Sequence, residues 1–229
     1  EIRRRCPNAL IVYRHFTKLG FNDPADAFVA EMRDTLNKLN GRGLIWEGLN
    51  EPALNNEQDA RAVTNWYVRF AELMHARGEK VAAFSFSTGN PRLEWVPLLA
   101  PATMACDYIA LHEYYSPTRS TSDWARYRAF RAKLPRAARK PILITECGLD
   151  DGRNNGWQNY VSQDAYMAIL ADYDRQLLQD RYVIGATIFQ YGNSAQWRSF
   201  DVAPIGGRIA QYVADQGGGA VEGGEESVQ

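Results

Sequence analysis

Glu51 and Glu146 are the residues with the clearest chemical use in this chain. Each follows a short apolar run. Gly43-Leu44-Ile45-Trp46 leads into Glu47-Gly48-Leu49-Asn50-Glu51-Pro52, and Pro141-Ile142-Leu143-Ile144 leads into Thr145-Glu146-Cys147-Gly148. Runs of that length read as buried strands, so each carboxylate is expected at the C-terminal end of a strand. If the two strands are parallel members of one sheet or barrel, their ends open on one crevice. Two carboxylates facing each other there are the equipment for glycoside hydrolysis. Each has a structural alternative: Glu51 could offset the dipole at the start of the next helix, and Glu146 could be half of a buried ion pair. The strand-end positions, with Asn50 before and Pro52 after Glu51, favour chemistry over structure in both cases.

A carboxylate that acts as a nucleophile must be ionised, and so needs donors or a cation beside it. Arg14 and Tyr114, both at predicted strand ends, are the candidates. In Leu111-His112-Glu113-Tyr114-Tyr115 adjacent residues of a continuing strand point to opposite faces. His112 and Tyr114 are therefore expected to share one side, with Glu113 on the other, where it would pair with a basic side chain. For His112 alone, a satisfied core histidine is nearly as good a reading. Tyr191 and Trp197 follow the last strand and could stack on a sugar ring, although buried aromatics are commoner. Trp46 and Trp66 read as core, and Arg126 and Arg128 as a solvated helix face.

These side chains need a scaffold. Apolar runs at 9–13, 44–49, 81–86, 108–111, 142–145 and 183–189 read as six strands. Asp23-Pro24 opens a helix in which Phe28, Met32, Leu36 and Leu39 recur at helical spacing until Gly41 and Gly43. Val63, Trp66, Tyr67, Phe70, Leu73 and Met74 form one face of a second helix, which Gly78 stops. A helical turn over 93–99, a basic helix over 123–134, a helix over 163–178 and a short one over 205–214 follow. Strands alternating with helices predict βα units around a parallel sheet. Strands that are apolar throughout predict cover on both faces.

Composition removes several classes. Of 229 residues, 45% are hydrophobic and 23% charged, with a formal net charge of −1. That profile supports one sizeable core and points to neither nucleic acid nor a membrane surface as partner. No apolar run approaches the roughly 18 residues of a membrane span. Glu1-Ile2-Arg3-Arg4-Arg5 has no segment suited to a signal peptide, and its arginines read as a solvated chain end. Cys6, Cys106 and Cys147 form neither a metal spacing nor an even disulfide set. Cys106 and Cys147 read as small buried residues, a nucleophilic Cys147 being the weaker alternative. His15, His75 and His112 lack ligand spacing, so no metal and no cofactor are expected. A Schiff-base aldolase would need a strand-end lysine, and Lys18 is the nearest miss.

Asn50-Glu51-Pro52, joined to Leu111-His112-Glu113-Tyr114-Tyr115, Ile144-Thr145-Glu146-Cys147-Gly148 and Trp197-Arg198-Ser199-Phe200-Asp201, resembles the clan A glycoside hydrolases over residues 10–212. These are cellulase-type retaining enzymes on a (β/α)8 TIM barrel. The resemblance implies an α/β TIM-barrel fold that cleaves β-linked poly- or oligosaccharide, with carbohydrate as partner. It makes Glu51 the general acid/base closing barrel strand 4 and Glu146 the nucleophile closing strand 7. It implies that Asn50 bonds the sugar 2-hydroxyl, and that Arg14, His15, His112, Tyr114, Tyr191 and Trp197 belong to the binding site. Phe189-Gln190-Tyr191 departs from the tryptophan common at the end of strand 8. Here Glu51 follows the second strand and Glu146 the fifth, so residues 1–214 are expected to be the last six βα units of the barrel. A preceding segment or a second chain is expected to complete it, and 215–229 to be a Gly/Glu-rich tail or linker. The competing reading is a carbohydrate-binding scaffold that keeps the barrel without turnover. Secretion or cell-surface placement would suit the activity.

Overall fold

The computed structural model describes residues 2–117, 124–192 and 194–216. The expected helix start at Asp123 and the Gly-rich tail from 217 lie outside them. Six strands form one sheet: β1 Val12–Arg14, β2 Ile45–Glu47, β3 Lys80–Phe86, β4 Tyr108–Tyr115, β5 Ile142–Leu149 and β6 Val183–Ile188. They lie in sequence order, and every neighbouring pair is parallel. The helices among the described residues are α1 Ile2–Arg5, α2 Ala25–Glu31, α3 Arg33–Leu39, α4 Glu57–His75, α5 Ala100–Ala105, α6 Arg126–Lys133, α7 Gln163–Leu177 and α8 Gly206–Asp215. Sequential parallel strands with intervening helices are the wall of a (β/α) barrel. This sheet is a curled part of such a wall. β1 and β6 are its two edges and do not pair with each other.

The two faces of the sheet bury different residues. On the inner face Ile45, Ala82, Ala110 and Leu143 pack as a small layer, flanked by Val12, Tyr108 and Ile184. They come one each from the consecutive strands β2, β3, β4 and β5. On the outer face Trp46, Val81, Ala83, Ile109, Leu111, Ile142 and Ile144 meet the helices. Alternation along each strand separates the two sets. The helical side is dominated by α4, whose Val63, Trp66, Tyr67, Phe70 and Met74 are buried as its periodicity predicts. Phe28 of α2 packs edge-on against Trp66 and Phe70 at ring separations of 5.3 and 5.4 Å. Asn56 caps α4 by accepting from the Asp59 amide, satisfying one of the free donors of the first turn. Gly48 lets the end of β2 settle on this helix: a Cβ there would lie 2.8 Å from the Trp66 ring. The close approach brings Asn50 and Glu51 over the strand ends.

Several expectations shift. The first strand is Val12–Arg14 rather than 9–13. β4 and β5 run on to Tyr115 and Leu149, past the expected stops, so the residues of chemical interest lie on strands rather than in loops. The helix expected from 23 to 39 divides at Met32 into α2 and α3, and Pro24 stands at the N-cap. Full cover of every strand does not hold for β6. Gly185, Ala186 and Thr187 are exposed because an edge strand has a neighbour on one side only. Arg126 and Arg128 are not simply solvated. Arg126 donates to the carbonyls of Asn90 and Pro91, and Arg128 pairs with Asp180 at 2.6 Å. No helix among the described residues is long and apolar enough to cross a membrane.

Candidate active site

Register decides what reaches the strand ends. On β1, Arg14 follows Val12 on the inner face and His15 falls outside. His15 bonds Glu31 at 3.2 Å and packs on Phe28, away from the other candidates. On β4, His112 and Tyr114 share the inner face, as alternation predicts. β5 does not alternate simply. Leu143 faces inward, and strict alternation would turn Thr145 inward and Glu146 outward. The β4–β5 register slips by one at this point, with Leu111 opposite Ile144 but His112 opposite Glu146. The extra residue, Thr145, is a bulge that re-aims Glu146 into the interior.

The bulge, the β2 loop and the ends of β1 and β4 converge on one cleft of about 640 Å³. Its wall includes Arg14, Asn50, Glu51, Tyr114, Glu146, Phe189, Trp197 and Phe200. Arg14 Nη2 pairs with Glu146 Oε1 at 2.5 Å, and the Tyr114 hydroxyl donates to Glu146 Oε2 at 2.7 Å. Beneath them lies His112, buried. Its Nδ1 is 2.8 Å from Glu51 Oε1, and its Nε2 is 3.2 Å from Arg14 Nη1. Arginine has no acceptor, so Nε2 must accept and the ring proton sits on Nδ1, donated to Glu51. His112 thus ties the two carboxylates together. The chosen oxygens of Glu51 and Glu146 and the His112 nitrogen all lie within 4.8 Å of one another.

The two acids are held differently. The Glu146 side chain is 12% exposed and receives a cationic and a phenolic donor, whereas Glu51 is 38% exposed and is held by the imidazole N–H. Burial opposes the Arg14 charge, but Glu146, then Glu47 and Glu51, outweigh it and hold the guanidinium above its ordinary value. Burial, and then Glu146, push the Tyr114 phenol far above its usual range; it stays a donor. The backbone carries strain at the same place. Glu51 has φ +48° and, across the strand, Phe84 and Ser85 have φ +89° and +48°. Such left-handed residues cost on the order of 1–3 kcal/mol each and cluster at functional sites.

The remaining candidates fall into place around this cleft. Asn50 lines it, and so does Trp197, which packs edge-on against Phe189 and Phe200. Tyr191 does not line it and is 77% exposed; the chain turns after Phe189 and points it outward. Glu113 lies on the outer face of β4. Its hydrogen bonds come from the Tyr173 hydroxyl and the amides of Ala125 and Tyr127 instead of the expected basic side chain. Burial raises its carboxyl to about 7. The Cys147 thiol is buried and pushed up to about 12, by burial first and then by Glu113 and Glu146, which removes it as a nucleophile. Sequence reasoning missed Phe16, Thr88, Ser116, Asp150 and Phe200 as parts of the cleft wall. It also missed Glu47, a buried carboxylate four residues before Glu51 that carried a readable signal: a charge inside an apolar strand.

The trio Glu51, His112 and Glu146 has a spacing that a cation could bridge. Arg14 already lies against both His112 and Glu146, and a second positive charge there would meet it at close range. The donor set fits proton transfer better than metal binding.

A partial (β/α) barrel with two carboxylates at its strand ends is thus the class that fold and site define. Neither a protein-family model nor a curated protein matches this chain. Solved structures do match. A family 128 (subgroup I) endo-β-1,3-glucanase from Amycolatopsis mediterranei, in complex with laminaritriose, superposes with a TM-score of 0.57 at 16% identity. The match covers 88% of this chain and 82% of that one. A variant of that enzyme with laminaripentaose gives 0.52 at 18%, over 79% and 71%. A β-D-glucuronidase from Dictyoglomus thermophilum gives 0.52 at 14%, over 78% of this chain and 32% of that one. At these identities the likeness is one of fold.

Proposed function

We propose that this chain is a glycoside hydrolase that cleaves β-linked poly- or oligosaccharide with retention of configuration. The observation that carries the reading is the carboxylate pair across the cleft, Glu146 gripped by Arg14 and Tyr114 and Glu51 held by His112. Retaining enzymes place their two carboxyls about 5–5.5 Å apart, inverting ones roughly 6.5–9.5 Å. Oxygens within 4.8 Å support the first.

Glu146 is the nucleophile and Glu51 the acid. Because the imidazole N–H occupies Glu51 Oε1, the acid's proton sits on Oε2, free for the leaving oxygen. Glu146 attacks the anomeric carbon while Glu51 protonates the departing oxygen. A glycosyl ester of Glu146 results. Glu51, now a carboxylate, takes a proton from water as that water attacks the anomeric carbon, and Glu146 leaves as a carboxylate. Asn50 bonds the 2-hydroxyl, and Trp197 with Phe189 and Phe200 offers apolar faces to a pyranose ring. The β-1,3-glucanases among the structural neighbours make laminarin oligosaccharides the first substrates to test.

A second reading, a carbohydrate-binding barrel without turnover, draws on the open sheet, whose unpaired edges β1 and β6 flank the site. Proton NMR of a laminarin-oligosaccharide digest decides between them. The first product anomer should match the β-linkage cleaved. The opposite anomer would refute retention, and binding without cleavage would leave the scaffold reading.

A further inference from the structure

One buried charge has no part in the mechanism above. Glu47, 3% exposed, faces inward on β2, and its Oε1 accepts the Ser85 hydroxyl at 2.6 Å. Ser85 is wholly buried and sits in the β3 bulge, between Phe84 opposite Ala110 and Phe86 opposite Leu111. Its left-handed backbone, φ +48°, turns its carbonyl toward the β2 loop, where it accepts the Glu51 amide at 3.1 Å. Glu51 is itself left-handed. A serine side chain with no partner would not hold a non-glycine residue in that region; a short hydrogen bond to a carboxylate, stronger than one between neutral groups, can.

We infer that Glu47 and Ser85 are positioning residues: the buried Glu47 carboxylate fixes Ser85 in the bulge, and the Ser85 carbonyl then sets the backbone of Glu51 and the aim of its carboxyl. A merely structural pair would only hold β2 to β3. This pair instead ends on the residue that delivers the proton. Its consequence for catalysis rests on Glu51 being the acid, as proposed above. The geometry does not.

The experiment uses the whole protein with Ser85→Gly, which tolerates φ +48° but lacks the hydroxyl, Glu47→Gln, which keeps an acceptor, and Glu47→Met, which does not. Circular dichroism and thermal unfolding establish which variants fold. Two aryl β-glycosides are compared, one with a good and one with a poor leaving group, alongside the His112 Nδ1–H signal in ¹⁵N-edited NMR. Ser85→Gly is expected to lower kcat/KM, which reports the first displacement, about tenfold, the worth of one hydrogen bond, on the poor leaving group only, with the His112 signal displaced. Glu47→Gln should lose less than Glu47→Met, and the double change Glu47→Met with Ser85→Gly should be no worse than either alone, because both break one link. Equal losses on both substrates, or none, with the His112 signal in place would overturn the inference while leaving the glycosidase reading intact. Should the wild type cleave no glycoside and yet show the His112 signal displaced in Ser85→Gly, the functional reading falls and the positioning of Glu51 stands. Should Glu47→Met fail to fold, Ser85→Gly and Glu47→Gln carry the test alone.

Discussion

Replacing Glu113 by Gln tests which of two opposed effects governs a buried carboxyl. Glu113 is 2% exposed and receives three donors: the Tyr173 hydroxyl at 2.6 Å and the amides of Tyr127 at 2.6 Å and Ala125 at 3.1 Å. Donors favour the charged form, whereas burial opposes it. Here burial wins and raises the carboxyl from 4.5 to about 7. A folded-state value above the unfolded one means that the native protein holds its proton more tightly. The associated stability is complete below about pH 4.5 and is lost as pH rises through about 7. The difference corresponds to about 3 kcal/mol. Glutamine is neutral throughout and cannot show this loss. Its amide must also face one of the three donors, which leaves a buried group unpaired at a cost of about 1–3 kcal/mol. The wild type should therefore be the more stable at pH 5, and its advantage should shrink or reverse by pH 8. Urea unfolding of both proteins at intervals between pH 4.5 and 8 measures the difference directly, and subtraction cancels the other titrating groups. A difference that stays flat with pH would refute the argument. One that grows with pH would mean that the three donors outweigh burial.

Tyr114→Phe removes the hydroxyl donor on Glu146 and should lower kcat about 10–100-fold, the worth of a hydrogen bond to a charged group; an unchanged kcat would remove Tyr114 from the mechanism. Glu51→Gln should slow poor leaving groups far more than activated aryl glycosides, whereas equal slowing would argue that Glu51 is not the acid. In a Cys6→Ser background, chosen because Cys6 is the exposed thiol, iodoacetamide at pH 8 should leave activity intact, since the Cys147 thiol is buried and titrates at about 12. Rapid inactivation with mass added at Cys147 would contradict that burial.

Much of the site was legible because strand ends announce themselves locally. An apolar run that leads into Asn-Glu-Pro or Thr-Glu needs no knowledge of distant residues and marked both carboxylates, although β2 stops at Glu47, short of Glu51, and β5 runs on past Glu146 to Leu149. The one-in, one-out rule placed His112 and Tyr114 together and Glu113 apart. The same rule limits what the first strand supplies: Arg14 reaches the cleft and its neighbour His15 cannot. Tyr191 was misjudged because the chain's path after β6 depends on contacts with Phe200 and Trp197 that no local pattern encodes. Ser116 and Asp150 escaped notice for a related reason, since polar residues just past a strand end look the same in sequence whether they line a cleft or meet solvent.

The amino-acid order alone thus determined six βα units, a parallel sheet, and two acids that each closely follow an apolar run, because periodicity and apolar runs are properties of neighbouring residues. Tertiary structure alone decided that the acids face each other. Counting inward and outward positions from Leu143 turns Glu146 away from the interior; only the slipped pairing of β4 with β5, which makes Thr145 a bulge, brings it back. Register between strands is set by packing across the whole sheet. The same is true of the left-handed turns at Phe84, Ser85 and Glu51, which non-glycine residues adopt only where surrounding contacts hold them.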